Sequence, residues 1–137
     1  MPAWATVVLT LGAERGAAGL GRVFGVLDDM EPQAIARSGG RSGTTMENIA
    51  RRWWQTRDDL LVFASGHPSL AVSHLADGVV DAVSRAWEDV VRLNRAVGNA
   101  EALRPASESY RDALERARAL REAIRSASAE GATAAGP

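Results

Sequence analysis

Four stretches of the chain repeat apolar side chains at intervals of three and four residues, the spacing that gathers them on one face of an α-helix. They cover 4–30, 45–64, 68–97 and 105–127. A short run of Val and Thr near 6–10 suits a strand, but no second strand follows to pair with it. We therefore predict an all-α fold, an antiparallel bundle of about four helices.

The whole bundle fits one domain of ordinary size, because the chain has only 137 residues. We place this single helical-bundle domain at 1–127. The tail at 128–137 is made of small and polar residues with one Glu. We expect that tail to be disordered, since it has no large apolar side chain to bury.

The first segment is rich in glycine, and its apolar pattern slips in phase where the glycines fall. Each glycine inside a helix costs about 1 kcal/mol relative to alanine. We expect a first helix that is kinked or broken in two. The glycines at the slip are Gly12, Gly16, Gly19 and Gly21, and the two apolar groups are Trp4, Val7, Val8, Leu11 and Leu20, Val23, Phe24, Leu27.

The second segment has the clearest signals for a helix start and stop. Thr44 and Glu47 have the spacing of a capping box. Gly66 followed by Pro68 is a helix-ending pair. A connection at 28–43 precedes the segment, with flexible composition at 38–43 and a helical turn expected at 33–37. The apolar stripe is Met46, Ile49, Trp53, Thr56, Leu60 and Phe63, widened by Ala50, Trp54 and Leu61.

The third and fourth segments carry the longest uninterrupted stripes. The third would be the spine of the fold, because 30 helical residues span about 45 Å. The fourth is a narrow seam with many small residues, suited to close pairing with a neighbouring helix. The third stripe is Val72, Leu75, Val79, Ala82, Ala86, Val90, Leu93 and Val97, beside Val80, Val83, Trp87 and Val91, and the fourth is Tyr110, Ala113, Ala117, Leu120, Ile124 and Ala127.

Composition narrows the classes of function. The formal net charge is −1, so there is no bulk attraction to nucleic acid or to an acidic membrane surface. Cysteine is absent, which excludes disulfides and thiolate metal sites. All basic residues are Arg, as in proteins from G+C-rich genomes, and we expect a bacterial origin. No apolar run of about 20 residues predicts a membrane span. We expect a cytoplasmic protein.

The most distinctive motif is Arg51-Arg52-Trp53-Trp54. Adjacent helix positions point about 100° apart, so the two indole rings cannot share one direction. Trp53 lies on the apolar stripe and is expected in the core. Trp54 lies at its edge with Leu61. Either one wide helix face buries both indole rings, or Trp54 and Leu61 form an exposed strip for a partner.

We expect a non-enzymatic interaction or scaffold subunit of a larger complex, working as a homo-oligomer or with a different protein and docking through apolar helix faces. The candidate partner-binding residues are Trp54, Leu61, Arg51, Arg52 and Trp87. No catalytic, cofactor-binding or metal-binding residue is predicted.

Two alternatives remain open on the same residues. A helical small subunit of a nucleoprotein complex would hold RNA or DNA backbone with Arg37, Arg41, Arg51 and Arg52. A metal-binding or enzymatic bundle would use His74 with the nearby carboxylates of Asp77 and Asp81. Against the latter, the chain lacks a paired Glu-x-x-His motif, a nucleophile elbow and a phosphate-binding glycine loop.

Overall fold

The structure is a computed structural model, which describes the backbone of 18–134 and the side chains of 18–127. It contains four long helices and one short helix, and no strand occurs between 18 and 134. The predicted all-α bundle is confirmed. We number the helices α1 (18–29), α2 (Pro32–Arg37), α3 (Gly43–Gly66), α4 (Leu70–Arg95) and α5 (Ala100–Ala134).

The glycine-rich first helix is bent by 32°, which agrees with the predicted kink. Within 18–29 it is one uninterrupted helix. The earlier part of the first segment, with Trp4, Val7, Val8, Leu11, Gly12, Gly16 and the 6–10 run, lies outside the described residues.

Cross-helix contacts show that neighbouring helices run antiparallel. Arg22 Nη1 lies 2.7 Å from Asp59 Oδ2, and Arg52 forms an ion pair with Asp29. The residue number therefore falls along α3 as it rises along α1.

Helices α4 and α5 also run antiparallel, and α5 packs beside α1. The Ser109 hydroxyl donates a hydrogen bond to the Asp89 carboxylate, whereas Gly78, farther back along α4, faces Arg116. The Arg121 guanidinium lies 4.7 Å from the centroid of the Phe24 ring, which brings α5 back to α1. The order around the bundle is thus α1, α3, α4, α5.

The predicted apolar stripes form the core. In α3 the predicted stripe residues Ile49, Trp53, Thr56, Leu60 and Phe63 are buried, Met46 is half-buried, and Ala64 is buried in addition. The buried Thr56 hydroxyl donates to the Arg52 carbonyl at 2.7 Å, so its polar atom is satisfied within the helix. Of the stripes predicted on the other helices, the buried residues are Leu20, Val23, Leu27, Val72, Val79, Val80, Ala82, Val83, Ala86, Val90, Leu93, Ala113, Ala117 and Leu120. The half-buried ones are Phe24, Leu75, Trp87, Val91, Val97, Tyr110, Ile124 and Ala127.

The start of α3 differs from the prediction. Ser42, not Thr44, is the N-cap, and its Oγ accepts a hydrogen bond from the Thr45 amide at 3.2 Å. Thr44 and Glu47 are both exposed inside the helix and form no capping box. Ser and Thr are both common cap residues, and helix ends are uncertain by one or two positions, so the pattern alone does not fix which of the two is the cap.

The last helix is longer at both ends than the predicted 105–127. It begins at Ala100, where Asn99 Oδ1 accepts from the Glu101 amide at 2.9 Å, and it contains Pro105. It continues to Ala134 and so includes the first part of the segment that we expect to be a disordered tail. Alanine has the highest helix propensity, and the alanine-rich sequence prolongs the helix although it has no large side chain to bury.

The connection between α2 and α3 is held against α4. The Arg41 amide donates to Asn94 Oδ1 at 2.6 Å, and Asn94 Nδ2 donates to the Arg41 carbonyl at 3.1 Å. Gly40 adopts φ +102°, and a Cβ there would lie 3.1 Å from Val97 Cγ2. The predicted short helix at 33–37 is confirmed as α2, with Glu31 as its cap.

Tyr110 lies on α5 at the junction with the segment around Glu31. Burial raises the pKa of its phenol, and the negative charges of Glu31 and Asp28 raise that pKa further, against a smaller opposing effect of Arg118. The neutral phenol is therefore the form that the folded bundle prefers.

We predict that replacing Leu60 by Ala lowers the free energy of unfolding by about 2–5 kcal/mol, because Leu60 is fully buried and its loss leaves a cavity. Val62→Ala, at a side chain that is 63% exposed, is the control and should change it by less than about 0.5 kcal/mol. Urea unfolding followed by circular dichroism measures both. Equal losses in the two variants would contradict the assigned core face of α3.

We also predict a loss of stability in alkali that depends on Tyr110. The unfolded chain releases the phenolic proton at about pH 10, before the folded chain does. The contribution of Tyr110 is thus fully present below that pH and is lost as the pH rises through the raised pKa. Tyr110→Phe should remove this part of the decline in denaturation experiments. Because Tyr110 is the only tyrosine of the chain, tyrosinate absorbance reports its pKa directly.

Candidate functional site

The two adjacent tryptophans of α3 have opposite environments. Trp53 is 1% exposed and belongs to the core, whereas Trp54 is 48% exposed. The alternative in which one wide apolar face buries both rings is therefore wrong. Leu61, seven residues after Trp54 and on the same side of the helix, is also exposed. An exposed Trp54–Leu61 strip runs along α3.

This strip borders an open groove between α3 and α4. The groove has a volume of about 430 Å³, and half-buried Trp87 lies in its wall opposite α3. The structure thus brings together three of the predicted partner-binding residues on one surface: two as lining of the groove and Leu61 beside it. The lining residues are Trp53, Trp54, Ser84, Trp87, Glu88, Val91, Arg92 and Arg95.

The guanidinium of Arg57 lies over the Trp54 ring. The guanidinium carbon of Arg57 lies 4.3 Å from the ring centroid, within the range of a cation–π interaction. The same guanidinium approaches the Asp58 carboxylate at 3.5 Å. Such a contact restricts the ring before any partner binds, which lowers the entropy cost of docking. Sequence reasoning missed Arg57, although its position three residues after Trp54 on a helix is the usual signal for contact.

The remaining predicted partner residues, Arg51 and Arg52, lie at a different groove. This second groove, of about 760 Å³, lies between the end of α1 and the first half of α3. Both arginines line it together with Arg41, whereas Arg37 does not. Asp28 and Asp29 line the same groove, and Asp29 pairs with Arg52. Three of the four arginines predicted to contact nucleic acid therefore share one surface of mixed charge.

His74 does not form a metal site with Asp77 and Asp81. All three belong to α4, and within the described part of the chain no three His, Cys, Asp or Glu side chains are placed to hold a metal ion. A single helix presents such residues side by side but does not converge them on one point.

On the outer side of α4, sequence reasoning considered only Asp77 and Asp81, as metal ligands, and missed the longer row of charges to which they belong. Six charged residues there are exposed, and they recur at intervals of three, four and seven residues, which is the signal that would have found them. They are Asp77, Asp81, Arg85, Glu88, Arg92 and Arg95.

Three comparisons with known proteins found no match. The chain matches no protein-family model, no curated protein and no solved structure. Among the described helices, none combines the length and apolar content that crossing a membrane requires. The case for a function therefore depends on the surfaces described above.

Proposed function

We propose that this protein is a non-enzymatic interaction subunit of a larger complex, and that its α3–α4 groove receives a helix of a second protein chain. The observation that carries the proposal is Trp54, half-exposed beside Trp87 at an open groove. Trp and Arg are the residues most enriched among those that dominate binding energy at protein interfaces.

The strip has the spacing that suits a helical occupant. Trp54 and Leu61 are two turns apart, about 10 Å along α3. An amphipathic helix laid in a groove presents its own anchors at the same intervals. Val91 adds apolar surface on the α4 side, and Arg92 and Arg95 form a polar border. This arrangement has the apolar centre and charged rim of a typical interface.

The gain from docking can be gauged from Trp54 itself. A tryptophan presents about 200 Å² of surface, so covering the exposed half removes about 100 Å² from water. At about 25 cal/mol per Å² that contributes about 2.5 kcal/mol, the range of an interface hot spot. No other aromatic ring on α3 is exposed.

We also propose a cytoplasmic location for the complex, as the composition predicts.

Trp54→Ser should therefore weaken binding by between about tenfold and a hundredfold. Affinity purification from the native cells, followed by quantitative mass spectrometry of the retained proteins, tests this. Val62→Ser is the matched control, because Val62 is more exposed than Trp54 but lies off the strip. Both variants should keep the thermal midpoint of the unmodified chain. Identical sets of bound proteins in the two variants would remove the groove from the proposal.

A second function is favoured by the other groove. We propose, as the alternative, that Arg41, Arg51 and Arg52 contact a nucleic-acid backbone, because the fold gathers these three on one surface. The backbone of Arg41 is fixed by Asn94, and its Nη1 donates to Ser38 Oγ at 3.0 Å, so its side chain is oriented in advance.

For this alternative, a gel shift at low salt should show binding that weakens steeply as salt increases, since phosphate contacts release counterions. Arg41→Ala with Arg51→Ala should reduce both the affinity and the steepness of the salt dependence. Arg37→Ala is the control, since Arg37 is exposed but does not line the groove. Absence of any shift at low ionic strength would exclude this alternative.

A further inference from the structure

The outer side of α4 is a continuous charged ridge. Asp77 and Arg95 are 18 residues apart, five full turns of helix and about 27 Å, so they mark the two ends of one face. The other four charged residues lie between them within roughly a quarter of the helix circumference. All six side chains are exposed: Asp77, Asp81, Arg85, Glu88, Arg92 and Arg95.

Few of these charges are held in close ion pairs within the chain. Among the described residues, Arg92 alone of the six has an ion pair, a 3.5 Å contact with Asp89, and its side chain stays 76% exposed. A ridge of fixed charges that the fold itself does not neutralise is available to a partner of complementary pattern.

The signs of the charges are reversed about the middle of the ridge. Asp77 corresponds to Arg95 and Asp81 to Arg92, at equal distances from the Ala86–Trp87 step to within one residue. Arg85 and Glu88 flank that step in the same way. A second α4 laid antiparallel across the first, with a two-fold axis at this step, would therefore meet an opposite charge at every one of the six positions.

We infer that the protein which docks on this surface is a second copy of the same chain, related by a two-fold axis near Trp87. This inference rests on the proposed function as an interaction subunit. It identifies the partner, and it places the partner's α4 along the ridge, beside the groove and not in it. The axis passes beside the groove, so Trp54 and Trp87 of each copy lie near the centre and supply the apolar burial. The charge pairs flank that centre and set the antiparallel register.

Two variants with reversed ends test the pattern. Arg92→Glu with Arg95→Glu makes both ends of the ridge acidic, and Asp77→Arg with Asp81→Arg makes both ends basic. In each variant, like charges face each other at both ends of a two-fold dimer. Sedimentation equilibrium of the purified full chain should show self-association weakened by at least about tenfold in either variant.

The decisive measurement is the mixture. An acidic-ended copy and a basic-ended copy are complementary at both ends, so two differently tagged variants should form a heterodimer when combined. The chain carrying all four reversals should again form a homodimer. Circular dichroism should show the same helix content throughout, because all four sites are exposed. A purely structural role for these residues would not produce recovery on mixing.

The outcomes separate the two proposals. A dimer that ignores the charge reversals, or two variants that do not combine, would overturn the antiparallel ridge contact. A wild-type chain that stays monomeric at every concentration, yet binds a different protein in a manner dependent on Trp54, would overturn the inference and leave the proposed function standing. Loss of every Trp54-dependent association would remove both.

Discussion

Close packing of α4 against α5 is the constraint on which the bundle depends. Of the pairs formed by α2 to α5, these two helices make the most extensive contact. Alanines are buried on both sides of it, at Ala82 and Ala86 on α4 and at Ala113 and Ala117 on α5. Small side chains let two helix axes approach closely, and the valines and leucines beside them fill the remaining space. With α5 on one flank and α3 on the other, α4 can present only its outer side to solvent.

That placement explains why both features of the candidate surface adjoin α4. The groove lies between α3 and α4, where the rings of Trp54 and Trp87 are partly uncovered. The charged ridge exists because the outer side of a central helix must be polar to remain in water. Apolar and charged elements thus lie side by side on one surface, which is the composition that protein interfaces combine.

The spacing of apolar residues was enough to predict the helices and most of the core, because a helix buried on one side has apolar residues at every third or fourth position. It was not enough at the edge of a stripe. Trp54 and Leu61 are apolar and lie about 100° from buried neighbours, and their exposure is decided by how far α4 reaches around α3. Likewise, Ser42 and Thr44 are both of a residue type that caps helices, and the structure shows that Ser42 is the cap. Arg41 is brought beside Arg51 and Arg52 by a backbone that exchanges two hydrogen bonds with Asn94, 53 residues away, which no local pattern reveals.

The two hydrogen bonds between Asn94 and the α2–α3 connection affect where this chain can accept an insertion. By composition, the Ser-Gly-Gly-Arg-Ser-Gly stretch resembles a spacer whose length could drift freely. Its backbone is instead paired with Asn94 on both sides of Arg41, and Gly40 fits closely against Val97. An insertion in this stretch would disrupt the hydrogen bonds that tie it to α4. The turn at Gly98, which is exposed and has open space around it, is the better place for an inserted tag or a new chain terminus.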